Sequence, residues 1–250
     1  MKVLVTFAVD WEFKPWLRLR SFDAVPGNDC VFRARVDEEK INVVLTGIGQ
    51  ANALRSIHNV MDGIPDLCII SGLAGGLKLA HRPGEILAAR AVRSEGSGET
   101  ICSDQSLLNT AVDCGAKAVE HFVSASRVIR SVQEKSRLSA SADAVDMESF
   151  HIMKELGGLG VPCVAVRSVS DPAETKVPYD FERALDSSGR IRIVQVLGQV
   201  AADPRQVLPL ARFAVRSSRA AASLARFLDS YVAHLARHKE TMDLSVQHIS

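Results

Sequence analysis

KVLVTFAV at residues 2–9 is an apolar run that stops against DWEF at 10–13, and the pattern returns in AVDMES at 144–149 and VPCVAVRSVSD at 161–171. Each stretch sets an acid at or just beyond the end of an expected buried strand: Glu12, the pair Asp146 and Glu148, and Asp171. Open α/β sheets collect their ligands outside such strand ends. Working outward, apolar runs between turn residues predict strands at 2–9, 31–36, 41–46, 67–71, 85–92, 118–124, 142–145 and 162–169. Helical patterns fall at 51–61, 106–114, 131–138 and 148–156. This alternation predicts an α/β architecture with a largely parallel, mixed sheet. The runs at 31–36 and 41–46, joined by DEEK, read as an antiparallel hairpin. Beyond Asp171 the texture changes to long Ala-, Leu- and Arg-rich helices over 184–202 and 206–236, broken at Asp203-Pro204. No Gly-, Ser- or Pro-rich linker interrupts the chain, so 1–250 reads as one domain, a core over 1–175 with a helical extension over 176–240.

A formal charge of +1 argues against general attraction to nucleic acid and favours a small substrate. Arg205, Arg212, Arg216, Arg219, Arg226 and Arg237 have the spacing of solvated helix faces. The cysteines are odd in number and scattered without zinc or redox spacing. Cys68 and Cys163 sit in apolar runs as small core residues, and a reducing cytoplasm is expected. No apolar stretch is long enough to span a bilayer, and the first run is too short for a signal peptide. Only His234 and His238 have helical ligand spacing, on an expected wet face, so no metal and no cofactor are expected.

Two glycine-containing turns follow strands. Gly47-Ile48-Gly49-Gln50-Ala51-Asn52 imitates a dinucleotide fingerprint, but Asn52 replaces the third glycine and no acid closes the next strand, LCIIS. A tight strand-to-helix turn explains it. Ser71-Gly72-Leu73-Ala74-Gly75-Gly76 could bring a ligand against bare backbone, or could simply be a flexible buried turn.

These segments, in this order, resemble the nucleoside phosphorylase superfamily, and most closely its branch that cleaves methylthioadenosine and adenosylhomocysteine. The matching pieces are FAVDWEF, TGIGQANA, SGLAGGL, GEILAARAV, AVDMES and VPCVAVRSVSD, spanning residues 1 to about 175. The resemblance implies a three-layer fold, a central mixed sheet flanked by helices, with extra C-terminal helices. It implies that Glu12 activates the attacking water, that Glu148 grips the ribose hydroxyls over Met147, and that Asp171 protonates the purine near N7. Ser170 and Arg167 would support Asp171 and its loop. Leu73, Ala74 and Gly75 would lie beside base and nucleophile, with Ile48 near the nucleophile. Val128 and Ile129 fall where the base is held, and an aromatic ring is usual at the first of these. Phe150, Tyr179 and Phe181 are candidates to replace it. DPAETKVP, DSSGR and the run over 203–228 look like the hopanoid-associated phosphorylases, which would put an apolar group on the 5′ carbon. Family members are commonly homo-oligomers, and a dimer is expected.

The residues suit this chemistry. Breaking the sugar–base bond builds positive charge at C1′ while the base must be neutralised. A buried carboxyl near N7 can supply the proton. Asp171 ends an apolar strand before Pro172, a setting that would raise its pKa, although an Asp there also serves as a turn or helix cap. Asp146 and Glu148 share a side if the segment is extended and diverge if the helix has begun. A carboxylate suits two ribose hydroxyls because it accepts a bond from each; Asp146 is the supporting acid. Glu12 could deprotonate water, giving hydrolysis; with phosphate as the attacking group, the reaction would be phosphorolysis. The expected substrate is a purine nucleoside, with adenine the expected base. A nucleoside-binding protein without catalysis is the rival of another class.

Overall fold

The computed structural model describes residues 1–60, 63–177, 205 and 207–238. Its frame is a mixed sheet of strands β1 (Lys2–Phe7), β2 (Asp23–Val25), β3 (Asn28–Val36), β4 (Glu39–Leu45), β5 (Leu67–Ile70), β6 (Leu73–Gly76), β7 (Ile86–Ser94), β8 (Thr100–Cys102), β9 (Lys117–Ser124), β10 (Ala144–Asp146) and β11 (Cys163–Asp171). They lie in the order β2-β3-β4-β1-β5-β11-β6-β10-β9-β7-β8, and a further pairing of β11 with β7 closes one half of the sheet on itself. β11 is buried at every position. It runs parallel to β5 at Cys163–Ala165 and parallel to β6 from Ser168, with antiparallel β7 along Val166–Ser168. A strand enclosed on both faces and both edges favours apolar residues, and its one cation, Arg167, needs a partner.

Helices cover both faces. α1 (Asp10–Leu19), α3 (Gln105–Asp113) and the C-terminal helix α6 (Val207–Arg237) pack on one side, where Phe13, Trp16, Leu108, Leu224 and Leu228 meet Val3, Val5 and Val164. α2 (Gln50–Val60) and α5 (Ser149–Gly158) pack on the other, where Ile57, Phe150 and Met153 meet Leu4, Ile70 and Ala165. Val3 and Leu4 thus serve opposite cores, the period-two alternation of a strand buried on both sides. α4 (Val132–Leu138) is short and begins with a capping box, Ser131 accepting from the Glu134 N–H while Glu134 accepts from the Ser131 N–H.

The expected hairpin is β3 and β4, with Val36 opposite Glu39 and Asp37 in the left-handed region at φ 53°. Three expectations need correction. The strand expected over 2–9 ends at Phe7, and Glu12 lies in the first turn of α1, a helix the sequence reading passed over. Leu73–Gly76, read as part of a turn, is strand β6, held by β10 on one side and β11 on the other. The helix expected to begin at 148 begins at Ser149, with Glu148 as its N-cap residue. The helix expected over 184–202, the DSSGR segment, Tyr179 and Phe181 lie outside the described residues.

Candidate active site

A cavity of about 150 Å³ opens where the ends of β1, β6, β10 and β11 meet. Glu12, Ile48, Leu73, Ala74, Gly75, Val128, Ile129, Asp146, Met147, Glu148, Ser170 and Asp171 all line it. Acids remote in the chain therefore face one space. Trp11 and Phe213 also line it, as do Arg127, Val177 and Ser217. Phe150, one candidate for the missing aromatic ring, lies on the core face of α5 instead. The aromatic walls come from α1 and α6.

Glu12 is placed by the start of α1. Its side chain turns back so that Oε2 accepts from the N–H groups of Ala8 at 3.1 Å and Val9 at 3.4 Å, and Oε1 accepts from the Leu73 N–H at 3.1 Å. The carboxyl thus tethers β1 to β6 while capping its own helix. Burial raises its pKa above the ordinary value, against the opposing pull of Arg167 and these three N–H groups.

Glu148 is held from across the cavity. The Gly49 N–H donates to its Oε1 at 2.8 Å, and Gly49 reaches this orientation at φ 89°, a left-handed conformation that favours glycine. The turn that imitates a dinucleotide loop is in this way a clamp for a carboxylate. Burial, aided by Asp146 and Glu12 and opposed by Arg167 and Gly49, pushes the Glu148 carboxyl up to about 7. Asp146 is fully engaged. It accepts from the Ser124 hydroxyl at 2.5 Å, the Ser149 hydroxyl, and Arg167 Nε at 3.0 Å. Glu148 is therefore the acid of this pair with an oxygen to offer.

Arg167 does not touch Asp171, where support was expected. Its Nε and Nη2 each lie 3.0 Å from Asp146 Oδ2. Nη1 donates to the Ser71 carbonyl at 2.7 Å, and Nη2 also donates to the Ser149 hydroxyl at 2.9 Å. Glu148 Oε2 stands 3.7 Å from Nη2. Burial works against the guanidinium charge, but Asp146, Glu148 and Glu12 more than offset it and hold its pKa above the ordinary value. Room for the guanidinium is made by Gly72 (φ 142°), where any Cβ would collide with Nη1.

Asp171 has other company. The Ser170 hydroxyl lies 2.5 Å from its Oδ1 and 3.1 Å from the Ala74 carbonyl. Oδ2 is ion-paired with Lys135, a wholly buried lysine from α4. Both carboxylate oxygens ride over Gly75, whose missing side chain would stand 3.3 Å from Oδ2. The setting at the strand end before Pro172 is therefore a buried ion pair. Sequence reasoning missed Lys135 because one lysine in VQEKSRL reads as a solvated helix face.

An α/β sheet with acids gathered around one cavity at its strand ends has the architecture of a nucleoside phosphorylase-like protein. The chain belongs to the phosphorylase superfamily, whose family model matches residues 2–200. It is 25% identical over 199 residues, 70% of this chain and 86% of the relative, to a 5′-methylthioadenosine/S-adenosylhomocysteine nucleosidase of Actinobacillus succinogenes. It is 22% identical over 217 residues, 76% of this chain and 94% of the relative, to an aminodeoxyfutalosine nucleosidase of Campylobacter jejuni. Among solved structures, the 5′-methylthioadenosine/S-adenosylhomocysteine nucleosidase of Campylobacter jejuni shares the fold with a TM-score of 0.70 at 17% identity, covering 93% of this chain and 99% of that one. The Helicobacter pylori enzyme with 5′-methylthioadenosine in its active site gives 0.70 at 19% identity, covering 92% and 97%. Among the described residues no helix is long and apolar enough to cross a membrane.

Proposed function

We propose that the protein hydrolyses the N-glycosidic bond of a 5′-modified purine nucleoside, with adenine as the base. The observation that carries this reading is that Glu12, Glu148 and Asp171 line one cavity. Each has a distinct role. Glu148 accepts from the ribose hydroxyls over Met147. Glu12, its pKa raised by burial, takes a proton from the water that attacks C1′. Asp171 serves the purine at N7, close to Gly75, Val128 and Ile129.

Water is favoured over phosphate because the positive groups nearby are already engaged. The Arg167 guanidinium is committed to Asp146, Ser71 and Ser149, and Arg127, which lines the cavity, is paired with Glu134 at 2.6 Å. A phosphate dianion would also face the Glu12 carboxylate. An apolar 5′ substituent is supported by Trp11 and Phe213 in the cavity wall.

The test is to incubate the protein with methylthioadenosine, adenosylhomocysteine, adenosine and an adenosylated lipid, with and without phosphate, and to separate the products. Free adenine and free sugar without phosphate are expected. Strict phosphate dependence, with a sugar 1-phosphate as product, would overturn hydrolysis. Binding of nucleosides without any turnover would make the protein a binding module instead.

A further inference from the structure

We propose that Lys135 is a positioning residue that acts through Asp171 and is the source of the proton the departing base receives. The inference deepens the functional reading above and rests on it. Its basis is the ion pair behind the cavity wall. Lys135 is 0% exposed, yet its ammonium meets three acceptors: Asp171 Oδ2, the Pro172 carbonyl at 3.0 Å and the Thr175 carbonyl at 3.1 Å. A lysine has three N–H donors only as the cation. The pair therefore holds one transferable proton, on the nitrogen, next to a carboxylate that lines the cavity.

A purely architectural role is a poor reason for such a pair. Burying both charges carries a desolvation cost that an apolar side chain against a neutral one would avoid. Lys135 is also the residue the local structure is built to deliver. The capping box of Ser131 and Glu134 fixes the first turn of α4, and the next residue points inward under β11. Its two carbonyl acceptors keep the chain after Asp171 folded over the ammonium, so the carboxylate has one orientation.

The C1′–N9 bond breaks and its electron pair moves into the purine. Asp171 Oδ2 takes a proton from Lys135 Nζ and passes it to N7, leaving a neutral amine. The water oxygen bonds to C1′ and its proton goes to Glu12. Exchange with solvent returns a proton from Glu12 to Lys135, so the net change is addition of one water across the bond.

The experiment compares native protein, Lys135→Met and Asp171→Asn on two substrates. One is the adenine nucleoside the native protein turns over. The other is p-nitrophenyl β-D-ribofuranoside, whose leaving group needs no proton. On the adenine nucleoside, Lys135→Met is expected to lose about 10²-fold or more in kcat, the usual worth of general acid catalysis. On the nitrophenyl riboside it should lose no more than a few-fold. K135M/D171N, which leaves no unpaired buried ion, provides a folded variant if Lys135→Met alone collapses. It should be no slower on the adenine nucleoside than the slower single variant. Equal losses on both substrates would reduce Lys135 to packing, and undiminished adenine release by Lys135→Met would exclude any role in the proton's path. Failure of the native protein to release adenine from any nucleoside is a separate result, which removes the functional reading itself.

Discussion

Glu148 carries the residue-scale consequence that is easiest to measure. Its carboxyl is pushed up to about 7, mainly by burial. A raised carboxyl holds its proton through the range where an ordinary one has lost it, so below about 7 it becomes a hydroxyl donor. It then cannot accept from two ribose hydroxyls at once. kcat/KM is therefore expected to fall as pH drops through about 7, with KM carrying much of the loss, and Glu148→Gln should abolish that dependence along with most activity. A profile flat from about 5 to about 8 would contradict the role. The acids themselves were legible in the sequence, because each interrupts or ends an apolar run. Arg167 carried the same kind of signal: a cation inside VPCVAVRSVSD must be neutralised where it lies. Its partner was not legible, since Asp146 lies 21 residues away on another strand and only the fold brings the two together.

At the scale of elements, the parallel strands could be read because burial on both faces leaves continuous apolar runs. α1 could not. Its first turn carries Asp10 and Glu12 directly after β1, and Pro15 sits inside it, so acids that start a helix looked like residues that end a strand. β6 was hidden for the opposite reason. LAGG has no strand propensity of its own and is extended because β10 and β11 flank it. α6 divides its work along its length. Leu224, Leu228, Tyr231 and Leu235 recur at helical spacing in the core, and the Tyr231 hydroxyl donates to the Leu107 carbonyl at 2.7 Å. Phe213, near the start of α6, is half-buried and faces the cavity. Leu228→Ala should lower stability by about 2–5 kcal/mol in urea denaturation, leaving KM unchanged in what remains folded. Phe213→Ala should do the reverse, raising KM several-fold with little change in melting temperature. If both variants affect stability alone, α6 has no part in the site.

Over the whole molecule, the cavity is the junction at which distant pieces of chain are tied, and Arg167 is the tie. Its donors reach Ser71 after β5, Asp146 at the end of β10 and Ser149 at the start of α5, while Glu12 and Glu148 stand within its field. Each acid is individually costly to bury, and the cation makes their convergence tolerable. The resemblance of motifs foretold that the acids would converge, but not what permits it. Arg167→Met should therefore destabilise the fold by about 3–5 kcal/mol, the loss typical of stranding a buried partner charge. Adding Asp146→Asn should recover part of that loss, because the amide needs no counter-ion and can still accept from Ser124. The measurement is a double-mutant cycle by urea denaturation of the four proteins. Strictly additive losses would mean that Arg167 and Asp146 stabilise the fold independently. The guanidinium would then not be the group that lets three carboxyls share one cavity.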